Sequence, residues 1–117
     1  MAEQEYTLVL DGRDLGTVTQ EDFDFPNLWG RYKLFPDVSS APELRHVMDY
    51  IAFSVRSAPL YQEDRADEVS SEEEAQFLDL IETDAWQLRD ATGKKHDILV
   101  PLFEPDEQIT WRWNIKE

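Results

Sequence analysis

Apolar and polar side chains alternate near the end of the chain. The apolar positions are Ile109, Trp111, Trp113 and Ile115, and the polar positions between them are Thr110, Arg112 and Asn114. An alternation of period two predicts a strand over residues 108–115, with one buried and one solvated face. Because a one-sided apolar face must pack on a second layer, we expect Trp111 and Trp113 to lie in the core.

The middle of the chain supplies a helix for that second layer. Ser40 and Glu43 have the spacing of a capping box, and Pro42 falls in the first turn, where a missing N–H costs nothing. The helical stripe consists of Leu44, Val47, Met48, Ile51, Ala52 and Val55. Pro59 is predicted to end this helix, because the residue before a proline is driven out of the α region.

A second helix is predicted after an irregular linker at residues 60–69. Ser70 or Ser71 can cap it, with Glu73 or Glu74 at the box position. Glu72, Glu73 and Glu74 also suit the positive end of the helix dipole. Its inward residues are predicted to be Phe77, Leu78 and Ile81, with Leu80 at the flank.

The remaining β-prone segments complete an α+β domain. Predicted strands cover residues 6–10, 15–19, 28–35, 85–90, 96–103 and 108–115. Gly12 supplies the turn of an N-terminal hairpin, and residues 20–27 are predicted to connect elements. Pro101 places its strand at an edge or at a bulge. We therefore expect one domain over 1–117 with a mostly antiparallel sheet. The sheet comprises the hairpin, a third strand and a C-terminal three-stranded meander, with the two central helices packed on one face.

The acidic residues are concentrated in the second helical region. The chain has 26 acids against 11 lysines and arginines, a net charge of −15, and residues 63–84 alone carry ten acids and one arginine. A focused negative field repels phosphate backbones and anionic membranes and attracts basic protein surfaces. Helix capping accounts for Glu72–Glu74 but not for the acids that precede the helix. Those candidate partner-binding residues are Glu63, Asp64, Asp67 and Glu68.

The chain lacks the residues that several classes of chemistry require. The chain has no cysteine, which excludes disulfides, thiol nucleophiles and cysteine-ligated metals. No apolar segment follows a basic start and none is long enough to span a bilayer, so we expect a cytoplasmic protein with no membrane association. The sequence suggests no cofactor, no metal and no direct binding of nucleic acid.

Aromatic residues outside the core are a second candidate for partner binding. Trp29 and Tyr32, with Arg112 as a polar handle, have the composition of interface hot spots. Trp29 shares a strand face with Arg31 and Phe35, which favours an exposed position.

Other polar groups have both a chemical and a structural interpretation. Asp22 and Asp24 with Glu21 could bind a hard cation, but the spacing of a calcium loop is missing, and capping of a turn is the favoured interpretation. His46 with Asp49, and His96 with Asp97, could serve acid–base chemistry. No nucleophile motif accompanies them, so surface histidines are favoured.

Three segments resemble a group of small bacterial proteins. The segments are Leu15–Thr19 leading into Phe23–Pro26, then Trp29–Tyr32, and the closing Trp111–Trp113. The resemblance implies a bacterial source and a single α+β domain, and it implies no catalytic residues. From the acidic segment we predict a non-catalytic, inhibitor- or immunity-like module that binds a basic protein. The alternatives are a small oligomeric interaction protein, such as a homodimer, and then a carboxylate-based enzyme.

Overall fold

A computed structural model describes residues 4–24 and 27–114. The strands are β1 (Gln4–Leu10), β2 (Arg13–Asp24), β3 (Asn27–Leu34), β4 (Trp86–Arg89), β5 (Lys95–Asp97), β6 (Leu102–Glu104) and β7 (Gln108–Trp111). The helices are α1 (Pro36–Ser39), α2 (Arg45–Gln62), α3 (Ser71–Ala75) and α4 (Leu78–Ile81), and 3₁₀ turns occupy Pro42–Leu44 and Ala66–Glu68. The predicted α+β class is confirmed.

The seven strands form one antiparallel sheet in the order β5-β4-β1-β2-β3-β7-β6. The chain after β5 also pairs with the chain after β7, through an antiparallel bridge between Ile98 and Trp113. The Leu99 N–H donates to the Arg112 carbonyl at 3.0 Å, and the Asn114 N–H donates to the Asp97 carbonyl at 2.9 Å. The sheet therefore curls around the core until its two sides meet.

Two glycines permit this curvature on the inner face. A Cβ at Gly30 would lie 1.9 Å from the Thr19 carbonyl oxygen, and one at Gly16 would lie 2.2 Å from the Lys33 oxygen. These distances are far below van der Waals contact, so only glycine fits. Glycine inside a strand commonly marks such a close backbone approach.

The N-terminal strands differ from the prediction at one turn. Residues 20–27 were predicted to be a connection, but β2 continues to Asp24 and β3 begins at Asn27. A register shift between Gln20 and Asp22 lets the pairing continue past that point. A bulge is a means of bending a strand without ending it, and local sequence patterns do not mark it.

The C-terminal meander differs from the prediction in the opposite way, because a predicted strand is interrupted. Residues 96–103 were predicted to be one strand, but they form β5, a connecting segment at residues 98–101, and β6. The first pairs with β4 and the second with β7, at opposite ends of the strand order. Pro101, which lacks an N–H, lies in the connecting segment.

Helix α2 begins and ends later in the chain than predicted, and it buries a shifted face. The predicted Ser40 cap is wrong, because its hydroxyl bonds the Pro36 carbonyl at 3.3 Å and the helix begins after the 3₁₀ turn. The helix also passes through Pro59. Ala52 is exposed, and the buried residues of α2 are Val47, Tyr50, Ile51, Phe53, Ser54, Ser57 and Ala58. Burial of this aromatic and small-residue face outweighs the helix bond that a proline removes.

Ser54 joins α2 to the outer edge of β6. Its hydroxyl donates to the Phe103 carbonyl at 3.0 Å and accepts from the Phe103 N–H at 2.8 Å. Exposed strand edges recruit other strands. Here one side chain occupies both edge groups of the residue at the middle of β6.

The second helical region begins as predicted. Ser70 Oγ accepts from the Glu73 N–H at 3.2 Å, which confirms the cap. The helix then breaks into α3 and α4, with Phe77 and Leu80 buried and Leu78 exposed, so the predicted inward face is wrong at Leu78. The Trp86 indole N–H donates to the Leu80 carbonyl at 2.8 Å, which orients this turn on the sheet.

Candidate functional site

Large apolar side chains are exposed on the outer surface near β6. Trp29, Thr110 and Leu102 lie side by side on three paired strands, in a row across the outer face of the sheet. Leu99 lies on the connecting segment before β6. Trp29 is 37% exposed, Leu99 46%, Leu102 43% and Tyr61 of α2 44%. We refer to these four side chains as the outer apolar face.

A groove separates Tyr61 from Leu102 on this face. Its volume is about 210 Å³, and its lining comprises Tyr50, Phe53, Ser54, Ser57, Ala58, Tyr61, Glu74, Ile81, Val100 and Leu102. Two of its three buried hydroxyls are already bonded within the fold: the Tyr50 hydroxyl donates to the Pro101 carbonyl at 3.1 Å, and Ser54 bonds Phe103. The third belongs to Ser57. The rest of the lining is mostly apolar, apart from the exposed Tyr61 and the half-buried Glu74.

A second hollow lies on the other side of Leu102. Its volume is about 310 Å³, and its lining comprises Asn27, Leu99, Val100, Leu102, Thr110, Trp111 and Arg112. The indole Nε1 of Trp111 is buried and finds no hydrogen-bond acceptor among the described residues. Val100 and Leu102 line both hollows, so Leu102 is a ridge between two depressions.

The helical side of the molecule carries most of the negative charge. Residues 36–84 hold 13 acids and three arginines, which is −10 of the total −15. Within residues 4–24 and 27–114, this range contains all of the helices. Clustered charge of one sign produces a directional field, which steers oppositely charged partners.

The predicted acidic residues lie where α2 ends. All four are exposed, and Arg65 binds two of them, donating to Glu63 at 3.1 Å and to Glu68 at 2.7 Å. The hydrogen bond from Arg65 to Glu68 lowers the pKa of the Glu68 carboxyl. Among the described residues, no cation lies within ion-pair distance of Asp64 or Asp67. Arg65 thus engages two of the four acids, and the four acids together with this arginine retain a net charge of −3.

The structure separates the predicted aromatic residues. Trp29 lies on the outer face, whereas Tyr32 is half-buried on the inner face, with its ring 5.0 Å from that of Phe103. Side chains three positions apart on a strand point to opposite faces, so these two do not form one platform. Arg112 is exposed and donates to Asn27 Oδ1 at 2.8 Å.

The two tryptophans that were predicted in the core, Trp111 and Trp113, lie on the inner side of the sheet. Trp111 is buried, which confirms its predicted core position. Trp113 is half-buried, with its ring 5.9 Å from that of Tyr6 and 5.7 Å from that of His96.

Each histidine pairs with a carboxylate other than its predicted one. His46 Nε2 lies 3.0 Å from Asp79 of α4, and His96 Nε2 lies 2.8 Å from Asp90. The hydrogen bond from His46 lowers the pKa of Asp79. The pKa of Asp90 is lowered first by the Thr92 hydroxyl and then by His96.

The cleft beside Trp29 contains no histidine. Its volume is about 370 Å³, and its lining comprises Glu21, Trp29, Gly30, Glu104, Gln108 and Thr110. Within residues 4–24 and 27–114, no three metal-ligating side chains lie close enough to hold an ion, and no helix combines the length and apolar content needed to cross a membrane.

The comparisons with known proteins do not place the chain in a family. No family model matches it, and neither a curated protein nor a solved structure does so. The resemblance to small bacterial proteins, the bacterial source and the cytoplasmic location therefore stay predictions.

The groove was missed at the sequence level for two reasons. Tyr61 joins it only because α2 continues past Pro59, and Leu102 joins it only because the predicted strand 96–103 divides. One signal was available: Leu99 and Leu102 flank a proline that cannot donate to a ladder.

Proposed function

We propose that this protein is a non-catalytic binding module for a basic partner protein, of the inhibitor or immunity type. The observation that supports the proposal is the outer apolar face, which lies beside a helical side of charge −10. Exposed apolar patches rimmed by polar groups mark interaction surfaces. Trp29 and Tyr61 are of the residue types that dominate interface hot spots.

Charge and apolar surface would have separate tasks in such a complex. The helical carboxylates would accelerate encounter with a positively charged surface and orient it. The apolar side chains would then contribute short-range affinity when water leaves the two hollows beside Leu102. The same field disfavours direct contact with nucleic acid or an anionic membrane.

A homodimer is the second candidate, because exposed apolar side chains can pair two copies. Strand pairing at β6 is disfavoured, since Ser54 already bonds both main-chain groups of Phe103. Two copies of a chain of charge −15 also repel each other. Light scattering at rising protein concentration tests this candidate: a constant mass of 13.7 kDa excludes it.

A matched pair of leucine variants tests the proposal. Leu102 and Leu78 are 43% and 42% exposed, but only Leu102 lies between the hollows. We expect a basic protein to bind immobilised wild-type protein and Leu78→Ser at low salt and to elute with NaCl. We expect Leu102→Ser to bind it at least tenfold more weakly, because hot-spot truncations cost more than about 1–2 kcal/mol.

Hydrogen exchange then maps the complex. Protection of Leu99, Leu102 and Tyr61 amides by the captured protein is the expected pattern. The proposal fails if no basic protein binds even at low ionic strength, or if Leu102→Ser binds as well as Leu78→Ser.

A further inference from the structure

The groove between α2 and residues 100–102 differs from the rest of the acidic surface. Its floor residues Tyr50 and Ser54 have hydroxyls engaged by the main chain of the connecting segment and β6. Its remaining walls are mostly apolar. Covering this floor with an apolar side chain is favourable. A polar side chain in the same place would lose its hydrogen bonds to water and find few partners.

One carboxylate at the groove lacks an internal cation. Glu74 lines it, and no lysine or arginine of the described residues lies within ion-pair distance of Glu74. The preceding Glu73, in contrast, accepts from Arg56 at 2.9 Å. Burial raises the pKa of Tyr61, and the charge of Glu74 raises it further, so the Tyr61 hydroxyl remains a neutral donor.

We infer that this groove holds one apolar side chain of the basic partner while an adjacent lysine or arginine of the same segment pairs with Glu74. The inference rests on the proposed function and names the local chemistry that the partner must present. An apolar residue next to a cation is common to basic amphipathic segments, which dock an apolar anchor in a groove and leave their charges at its rim.

The volume of the groove and the charge around it argue against a small molecule, a lipid headgroup or a second copy as its occupant. A volume of about 210 Å³ is below the range of about 300–1,000 Å³ that is typical of small-molecule sites. A lipid headgroup carrying phosphate would face Glu74 and the rest of a side of charge −10. A second copy of the chain would place its own carboxylates next to Glu74, and the like charges would repel each other. A partner with a lysine or arginine beside its apolar side chain avoids this repulsion.

Short peptides test the inference without the partner. The probe is acetyl-Ala-Leu-Arg-Ala-amide, and its matched neutral form carries citrulline in place of arginine. A third peptide, with alanine in place of leucine, lacks the anchor. Backbone amide shifts of the isotope-labelled protein are followed by NMR at low ionic strength.

We expect the leucine–arginine peptide to shift the amides of Ser57, Tyr61 and Leu102, and the peptide without leucine to leave them in place. We expect arginine to bind about two- to fivefold more tightly than citrulline, the range for a partly exposed ion pair. Glu74→Gln should remove this preference. Glu72→Gln, at an exposed position of α3 that does not line the groove, should retain it.

The results that would overturn this inference differ from those that would overturn the proposed function, which the leucine variants test. Absence of shifts at the groove overturns the inference, and so does an equal loss of preference in both glutamine variants, because that result indicates only a diffuse field. Groove amides that shift with protein concentration alone show a second copy there and also overturn it. If Leu102→Ser still abolishes capture of a basic protein, the proposed function survives these failures.

Discussion

The link between Ser54 and Phe103 offers a sharp test of how α2 is held on the sheet. Ser54→Ala removes a donor and an acceptor at once, because the hydroxyl bonds the Phe103 carbonyl at 3.0 Å and the Phe103 N–H at 2.8 Å. Both residues are buried. Each main-chain group left unpaired costs about 1–3 kcal/mol, and alanine regains up to about 0.5 kcal/mol of helix propensity.

The expected loss of unfolding free energy is therefore about 1.5–5.5 kcal/mol. At about 4 °C per kcal/mol for a chain of this size, Tm should fall by about 6–22 °C. Equilibrium urea unfolding gives the free energy, and it should show a lower midpoint with an unchanged m value. Hydrogen exchange of the Phe103 amide should accelerate by a larger factor than that of the Ile109 amide across the ladder.

Ser57→Ala is the matched control. Ser57 is also buried in α2, one turn later, but it makes neither bond to Phe103. We expect a smaller loss than in Ser54→Ala, because this substitution breaks neither bond to Phe103. A loss below about 0.5 kcal/mol in Ser54→Ala, with the Phe103 amide still protected, would refute the assignment of Ser54 as the closure of the β6 edge.

Three further predictions follow from charge and close packing. Because 26 acids repel one another, Tm should rise between low and moderate NaCl through screening over about 8–10 Å, and a flat or falling Tm in scanning calorimetry would contradict this. Gly30→Ala should lose about 1–3 kcal/mol in urea unfolding, since its Cβ would lie 1.9 Å from the Thr19 oxygen; an unchanged midpoint would show that the strands can separate at no cost. The pKa of Asp90 is held below its ordinary 3.8 by Thr92 and then His96. Its contribution to stability is therefore present above about pH 4 and is lost as pH falls towards the lowered pKa. Asp90→Asn should consequently destabilise at pH 6, and its difference from wild type should shrink as pH falls from about 4 towards 2; a constant difference across this range would disprove the linkage.

Much of the sheet and the central helices followed from periodicity. The hairpin, the third strand and the last strand were predicted near their observed positions, because alternation along a strand is read within a few residues. The Ser70 cap was equally local, since a hydroxyl and an N–H three residues apart meet whenever the helix begins there. The bulge at residues 20–22 and the division of strand 96–103 were not predictable in this way, because both are set by the neighbouring strands.

The sequence predicted the negative charge of the candidate site but not its contacts. Glu63, Asp64, Asp67 and Glu68 are exposed as expected, but the sequence did not show that Arg65 binds two of them. Tyr32 was grouped with Trp29, although the pleat separates their side chains.

Composition and periodicity by themselves determined that this chain folds as an α+β domain with an acidic helical side and tryptophans in its core. Those properties depend on residue type and on spacing within one element. Tertiary structure alone decided which groups meet across elements. It paired His46 with Asp79 and His96 with Asp90, placed Ser54 on the edge of β6, and brought Tyr61, Glu74 and Leu102 to one groove. The physical reason is that such contacts join residues far apart in the chain, and their geometry exists only after the sheet has curled and α2 has packed on it.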